Sequence, residues 1–162
     1  MAMRQLPLSG ITLAGLLVGC RGGPTAPEPR PVPELKAAPT VVTMEGKRLV
    51  LETFLWRDFM PISPPDGQSL IAVLRVKTTD GSAVPPGVRA DAVWVVFGGE
   101  VWAARATEES ARDETAPFYE VVARNGPKWG PGVTVEVVVR LRDGAGRGVL
   151  LRAPDQFVHR TA

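Results

Sequence analysis

Few side chains in this sequence have the type and spacing to do chemistry. There is one histidine, His159, close to the C-terminal end, and one cysteine, Cys20. A lone histidine so near the end reads as solvated surface, and the five serines (9, 63, 69, 82 and 110) have no other imidazole to serve as base. One His, one Cys, Met44 and Met60 do not make a zinc or copper site, a thiol redox pair or a disulfide framework. The acidic run of Glu108, Glu109, Asp113 and Glu114 lacks the alternating spacing of a calcium loop and reads as a solvated loop. The glycine-rich stretches open hairpins and not helices, so they do not cradle phosphate. Glycoside hydrolysis needs only two carboxylates, and Asp58, Asp66, Asp80, Asp91, Glu100 and Glu120 are the candidates. Nothing in their spacing pairs any two. No catalytic residue, cofactor or metal site is therefore assigned from the sequence.

Two segments carry binding chemistry instead. Trp56–Gly67 (WRDFMPISPPDG) holds Trp56, Phe59, Met60 and Ile62 among three prolines. It is too apolar to lie loose in water. It reads either as a cap folded back on one end of the domain or as a rigid aromatic binding loop. Arg124–Gly132 (RNGPKWGPG) sets Trp129 beside Lys128 and Arg124 between strong turn formers. An indole flanked by cations suits stacking on a sugar or anchoring a protein, and it equally suits packing at a sheet edge. The candidate binding residues are Trp129, Lys128, Arg124, Trp56 and Phe59. If both segments lie at one end, they form a single apolar and basic surface.

The chain has 162 residues, 44% hydrophobic and 22% charged, enough to build one core. Nineteen basic residues against 17 acidic ones give a net charge of +2, too balanced for a nucleic-acid binder. Residues 1–20 read MAMRQLPLSGITLAGLLVGC. Arg4 precedes an uncharged apolar run too short for a permanent bilayer span, which is a secretory signal pattern. The ending Leu17-Val18-Gly19-Cys20 resembles the lipobox of bacterial lipoproteins. That resemblance covers about the first twenty residues. It implies a diacylglyceryl group on the Cys20 sulfur, cleavage after Gly19, and acylation of the new N-terminus. The protein is then held to a membrane in the cell envelope. Arg21, in place of an aspartate after the cysteine, points to the outer membrane where there are two.

These residues need elements to position them. Residues 21–39 contain six prolines (24, 27, 29, 31, 33 and 39) and no aromatic, and they read as a disordered, extended tether following the acylated cysteine. From residue 40 to 162 the pattern is β. Alternation or short apolar runs predict strands at Val41–Met44, Lys47–Trp56, Leu70–Thr78, Ala92–Phe97, Glu100–Ala106, Phe118–Ala123, Val133–Arg142 and Gly148–Arg152. Gly98-Gly99 and Asp143–Gly146 are hairpin turns. The polar stretch Thr107–Thr115 reads as a loop with at most one helical turn. Seven or eight short strands with turns between them predict an immunoglobulin-like or fibronectin-III-like β-sandwich.

The reading is a non-enzymatic, lipid-anchored envelope protein whose domain binds another envelope component, protein or glycan. Its partners are the membrane and that component, not nucleic acid. A structural or accessory subunit of a surface complex is the alternative, and a hydrolase or protease inhibitor the third class.

Overall fold

Alternation in the sequence becomes alternation of burial. Along Thr134–Arg142 the side chains of Val135, Val137, Val139 and Leu141 are buried on one face, because successive Cβ atoms of a strand point to opposite sides. The computed structural model describes residues 25–162. It is all-β apart from one short helix, α1 (Val32–Ala37). The strands are β1 (Val42–Met44), β2 (Lys47–Asp58), β3 (Leu70–Thr78), β4 (Arg89–Phe97), β5 (Glu100–Arg105), β6 (Phe118–Gly126), β7 (Thr134–Arg142) and β8 (Gly148–Thr161). Thr107–Thr115 forms no helix, and Thr107 makes a single bridge to Val122.

The strands make one curled sheet in the order β5-β4-β7-β8-β2-β3-β6, with β1 added beside β2. Its curl depends on β8. The first part of β8 pairs antiparallel with β7 as far as Phe157, and Val158–Thr161 then runs parallel to Leu55–Asp58 of β2. The register slips where Val135 faces Gln156 but Val137 faces Ala153, so two residues of β8 stand opposite the single Glu136 of β7. These are Pro154, which has no N–H to donate to the ladder, and Asp155, which has a positive φ of 54°. Such a bulge bends its strand and increases the twist. The two arms of the sheet then share one core. Leu55, Leu74, Val76 and Tyr119 come from one arm, and Val93, Val95, Val137 and Leu151 from the other. β8 is longer than expected, and His159 is a paired strand residue rather than part of a frayed end.

The tether expected over residues 20–39 is corrected from Glu28 onward. A second buried cluster joins Leu35 and Ala38 to Ala92, Trp94, Val96 and Val138 on the outward face of β4 and β7. Leu35 and Trp94 are both fully buried. The Trp94 indole N–H donates to the Glu28 carbonyl at 3.1 Å, and the Arg30 guanidinium lies 5.2 Å from the indole centre. Arg152 closes the far end. Its backbone N–H donates to the Pro39 carbonyl at 2.8 Å and its Nε to the Ala38 carbonyl at 3.0 Å. The cause lies in β4, where Ala92–Val96 is apolar on both faces and needs cover on both. Burying Leu35 contributes about 2 kcal/mol toward ordering this strap. A six-residue helix forms here through that packing and not through propensity. The signal segment, Cys20 and the rest of the tether up to residue 24 lie outside the described residues.

Candidate functional site

Arg57, near the end of β2, organises the two loops singled out above. Its side chain points inward and the residue is only 3% exposed. Among the described residues it forms no ion pair with a carboxylate, and its donors go to carbonyls. Its Nε donates to the Gln68 carbonyl at 2.8 Å, and one terminal nitrogen donates to the Gly130 carbonyl at 2.5 Å and the Lys128 carbonyl at 3.1 Å. The other donates to the Asp66 carbonyl. A rigid guanidinium fork can satisfy several fixed carbonyls at once, which makes a buried charge tolerable. On the outside, Lys128 Nζ meets Asp66 Oδ2 at 2.6 Å. The loops 59–69 and 127–133 are thus one unit at one end of the sheet.

The sequence candidates separate within this unit. Phe59 folds back. Its ring lies 5.1 Å from the Arg57 guanidinium and 4.1 Å from that of Arg160. It covers Gly67, where φ is +78° and any Cβ would come within 2.5 Å of the ring. The tip of the same loop does not fold back, for Met60 is 49% and Ile62 93% exposed. Trp129 is half-buried against the core, its ring 5.6 Å from that of Phe97. Arg124 is exposed, and its Nε and one terminal nitrogen donate to the two carboxylate oxygens of Glu109 at 2.5 and 2.8 Å. Trp56 lies on the opposite side of β2 from Arg57, on the outward face of the sheet. Trp56 and Trp129 therefore do not share one surface.

Trp56 belongs to an aromatic row that the sequence reasoning missed. The parallel register sets His159 beside Trp56. The Phe54 ring stacks on the imidazole of His159 at 4.9 Å and lies 5.3 Å from the Trp56 indole. Phe157 meets His159 edge-on at 5.0 Å. Phe54 and Phe157 are 47% and 49% exposed. The available signal was period two: Phe54 and Trp56 on one strand, Phe157 and His159 on the other. Across β3 the row continues into Val73 and Ile71, the register partners of Phe54 and Trp56. Below it on the same face are charges that pair across strands, Lys77 with Glu52 at 2.5 Å and Arg75 with Glu120 at 2.7 Å.

Beside Trp56 the surface falls into a groove of about 340 Å³. Trp56, Asp58 and Ile71 form part of its lining from β2 and β3. Gln68 and Ser69 come from the first loop, and Arg124 and Asn125 from the end of β6.

Of the carboxylates considered for hydrolysis, Asp66, Asp80, Asp91 and Glu120 are each paired with a cation. The hydrogen bond from Lys128 keeps Asp66 below the usual carboxylate range. Asp80 is held far below it by the Ser82 hydroxyl and backbone N–H, with Lys47 adding to the effect. At Asp91 burial opposes ionisation, and hydrogen bonds from Arg140 and Arg142 outweigh it and lower the pKa. Carboxyls lowered in this way are acceptors and ion-pair partners, not proton donors near neutrality. No family model, curated protein or solved structure matches the chain.

Proposed function

We propose that the protein is a lipid-anchored lipoprotein of the bacterial cell envelope. Its domain is a non-enzymatic binding module of immunoglobulin-like or fibronectin-III-like build. The anchor reading rests on Leu17–Cys20 and on Cys20 being the only cysteine. Support for the sandwich is topological. The neighbours β2-β3-β6 correspond to strands A-B-E of that architecture, and β5-β4-β7-β8 to C′-C-F-G.

The observation that carries the binding function is the aromatic row Phe157–His159–Phe54–Trp56 on the outward sheet face. Large aromatics left half-exposed in contact with one another mark an interaction surface more than scattered apolar residues do. Charges beside the row are paired, which lowers the cost of covering them.

The test uses two measurements. Wild-type chain should incorporate labelled palmitate in a bacterial host, while Cys20→Ser should accumulate as unlabelled precursor. Unlabelled, soluble wild-type protein would refute the anchor. Separately, residues 20–162 carrying Cys20→Ser, free of both the acyl groups and the apolar signal segment, should sediment with isolated envelope fragments. The double change Phe54→Ser and Phe157→Ser should abolish that sedimentation while keeping a cooperative, if lower, melting transition, since both side chains are half in solvent. Undiminished sedimentation would refute the aromatic face.

A further inference from the structure

The groove beside Trp56 is built for a more particular ligand than an unspecified envelope component. Trp56 is one of the residues lining the groove, and its ring lies 5.3 Å from that of Phe54. The stack of His159 and Phe54 behind it fixes the ring as a wall. Facing that wall are polar groups with spare capacity. The side chains of Gln68, Ser69 and Asn125 make no hydrogen bond among the described residues. Asp58 commits only Oδ1, which accepts from the Met60 backbone N–H at 2.9 Å. Two planar amides, a hydroxyl and a carboxylate oxygen thus present adjacent donors and acceptors.

Their positions are fixed by the fold. Gln68 is held through its backbone by the Arg57 Nε bond to its carbonyl and by its own N–H bond to the Asp58 carbonyl at 2.8 Å. Asn125 sits at a positive φ of 64°, a conformation asparagine tolerates better than most residues. Pre-formed geometry lowers the ordering cost of binding. The volume lies at the lower end of small-ligand sites, which span about 300–1,000 Å³.

Ligand chemistry follows by elimination. An anion meets the Asp58 carboxylate, and the nearby guanidinium of Arg124 is already engaged by Glu109. A wholly apolar ligand would cover the amides and the hydroxyl without satisfying them, at a cost of about 1–3 kcal/mol for each group left unpaired. A sugar ring satisfies both sides. Its hydroxyls both donate and accept, and a ring with equatorial substituents carries its axial C–H groups on a flat apolar face that fits an indole. We propose that the groove is a saccharide subsite for one neutral, equatorially substituted pyranose ring of an envelope glycan. This assignment rests on the binding function proposed above and narrows it.

The experiment titrates the full chain, purified in a detergent without a sugar head group, with cellotetraose and tetra-N-acetylchitotetraose. Expected are saturable shifts of the Trp56 indole N–H and the Gln68 and Asn125 side-chain amides in proton–nitrogen NMR spectra. Trp56→Ala should weaken binding about tenfold or more, Trp56→Phe should retain part of it, and Lys47→Ala, at the opposite end of β2, should leave it unchanged. Dispersed methyl signals identify a folded Trp56→Ala protein. The assignment is overturned if neither sugar shifts those signals at millimolar concentration, or if folded Trp56→Ala binds as wild type does. Envelope sedimentation keeps the two proposals apart. If it persists without any sugar response, the saccharide assignment alone fails, and loss of both removes the binding function too.

Discussion

Arg57 shows how a single residue shapes the candidate surface. Four carbonyls from two loops converge on it. Arg57→Met would leave them buried without donors, at an expected cost of about 3 kcal/mol or more. Arg57→Lys should recover little, because a point ammonium cannot reach all four. Urea unfolding of both variants measures this, and an unshifted midpoint for Arg57→Met would mean that the loops hold themselves. Trp129 makes an opposite case. Its half-burial against Phe97 gives Trp129→Ala an expected cost of about 2 kcal/mol, below that of a fully buried tryptophan. Envelope sedimentation by this variant, measured well below its melting temperature, should be retained. The sequence exposed the composition of both loops but not this division of labour. β2 runs on past Trp56 to Asp58, so the period-two alternation extends to Arg57 and turns it inward.

At the scale of elements, the alternating strands were legible and the strap was not. Val133–Arg142 declares its inward face by period two, and Val137 is fully buried as that period implies. Val137→Asp is therefore expected to abolish cooperative unfolding, since a lone carboxylate there has no partner. A cooperative transition detected by circular dichroism would contradict this placement. Residues 25–39 misled because proline content argues against a core of their own, while an exposed groove on a neighbouring element can supply one. The cue was present in β4, where apolar residues run continuously from Ala92 to Val96. β8 was underestimated for a related reason. The alternation was read only as far as Arg152, whereas Pro154 marks a bulge after which the strand joins a different neighbour. Leu35→Asp should release the strap. Trp94 fluorescence should shift to the red and protease should cut between residues 28 and 38, both absent in wild type. Residues 40–162 alone should then expose Trp94, Val96 and Val138 and self-associate, measurable by sedimentation velocity.

For the molecule as a whole, acid sensitivity should centre on two part-buried carboxylates, Asp91 where the strap meets the sheet and Glu108 beside Tyr119. Asp91 bonds Arg140 at 2.7 and 2.9 Å and Arg142 at 2.6 Å, and Arg140 also reaches Glu28 at 3.7 Å. Glu108 is a second such site. Burial raises its pKa, and the bonds from Arg89 and Tyr119 lower it by more. Because both folded-state values are depressed, their stabilisation is complete above the unfolded carboxylate range of about 4 and is lost as pH falls through the lower folded values. Melting temperature should therefore be flat near neutrality and fall below about pH 4. Asp91→Asn should start lower and show a shallower acid limb, and an unchanged limb would remove Asp91 from the account. The docked strap also sets how far the domain can travel. With Cys20 in the membrane, as proposed, a chain free up to β1 would allow an excursion of about 75 Å over 22 residues. Docking at Glu28 leaves eight residues and about 27 Å. With that proposed anchor the strap would act as a shortened leash, holding the near end of the domain within that radius of the lipid surface.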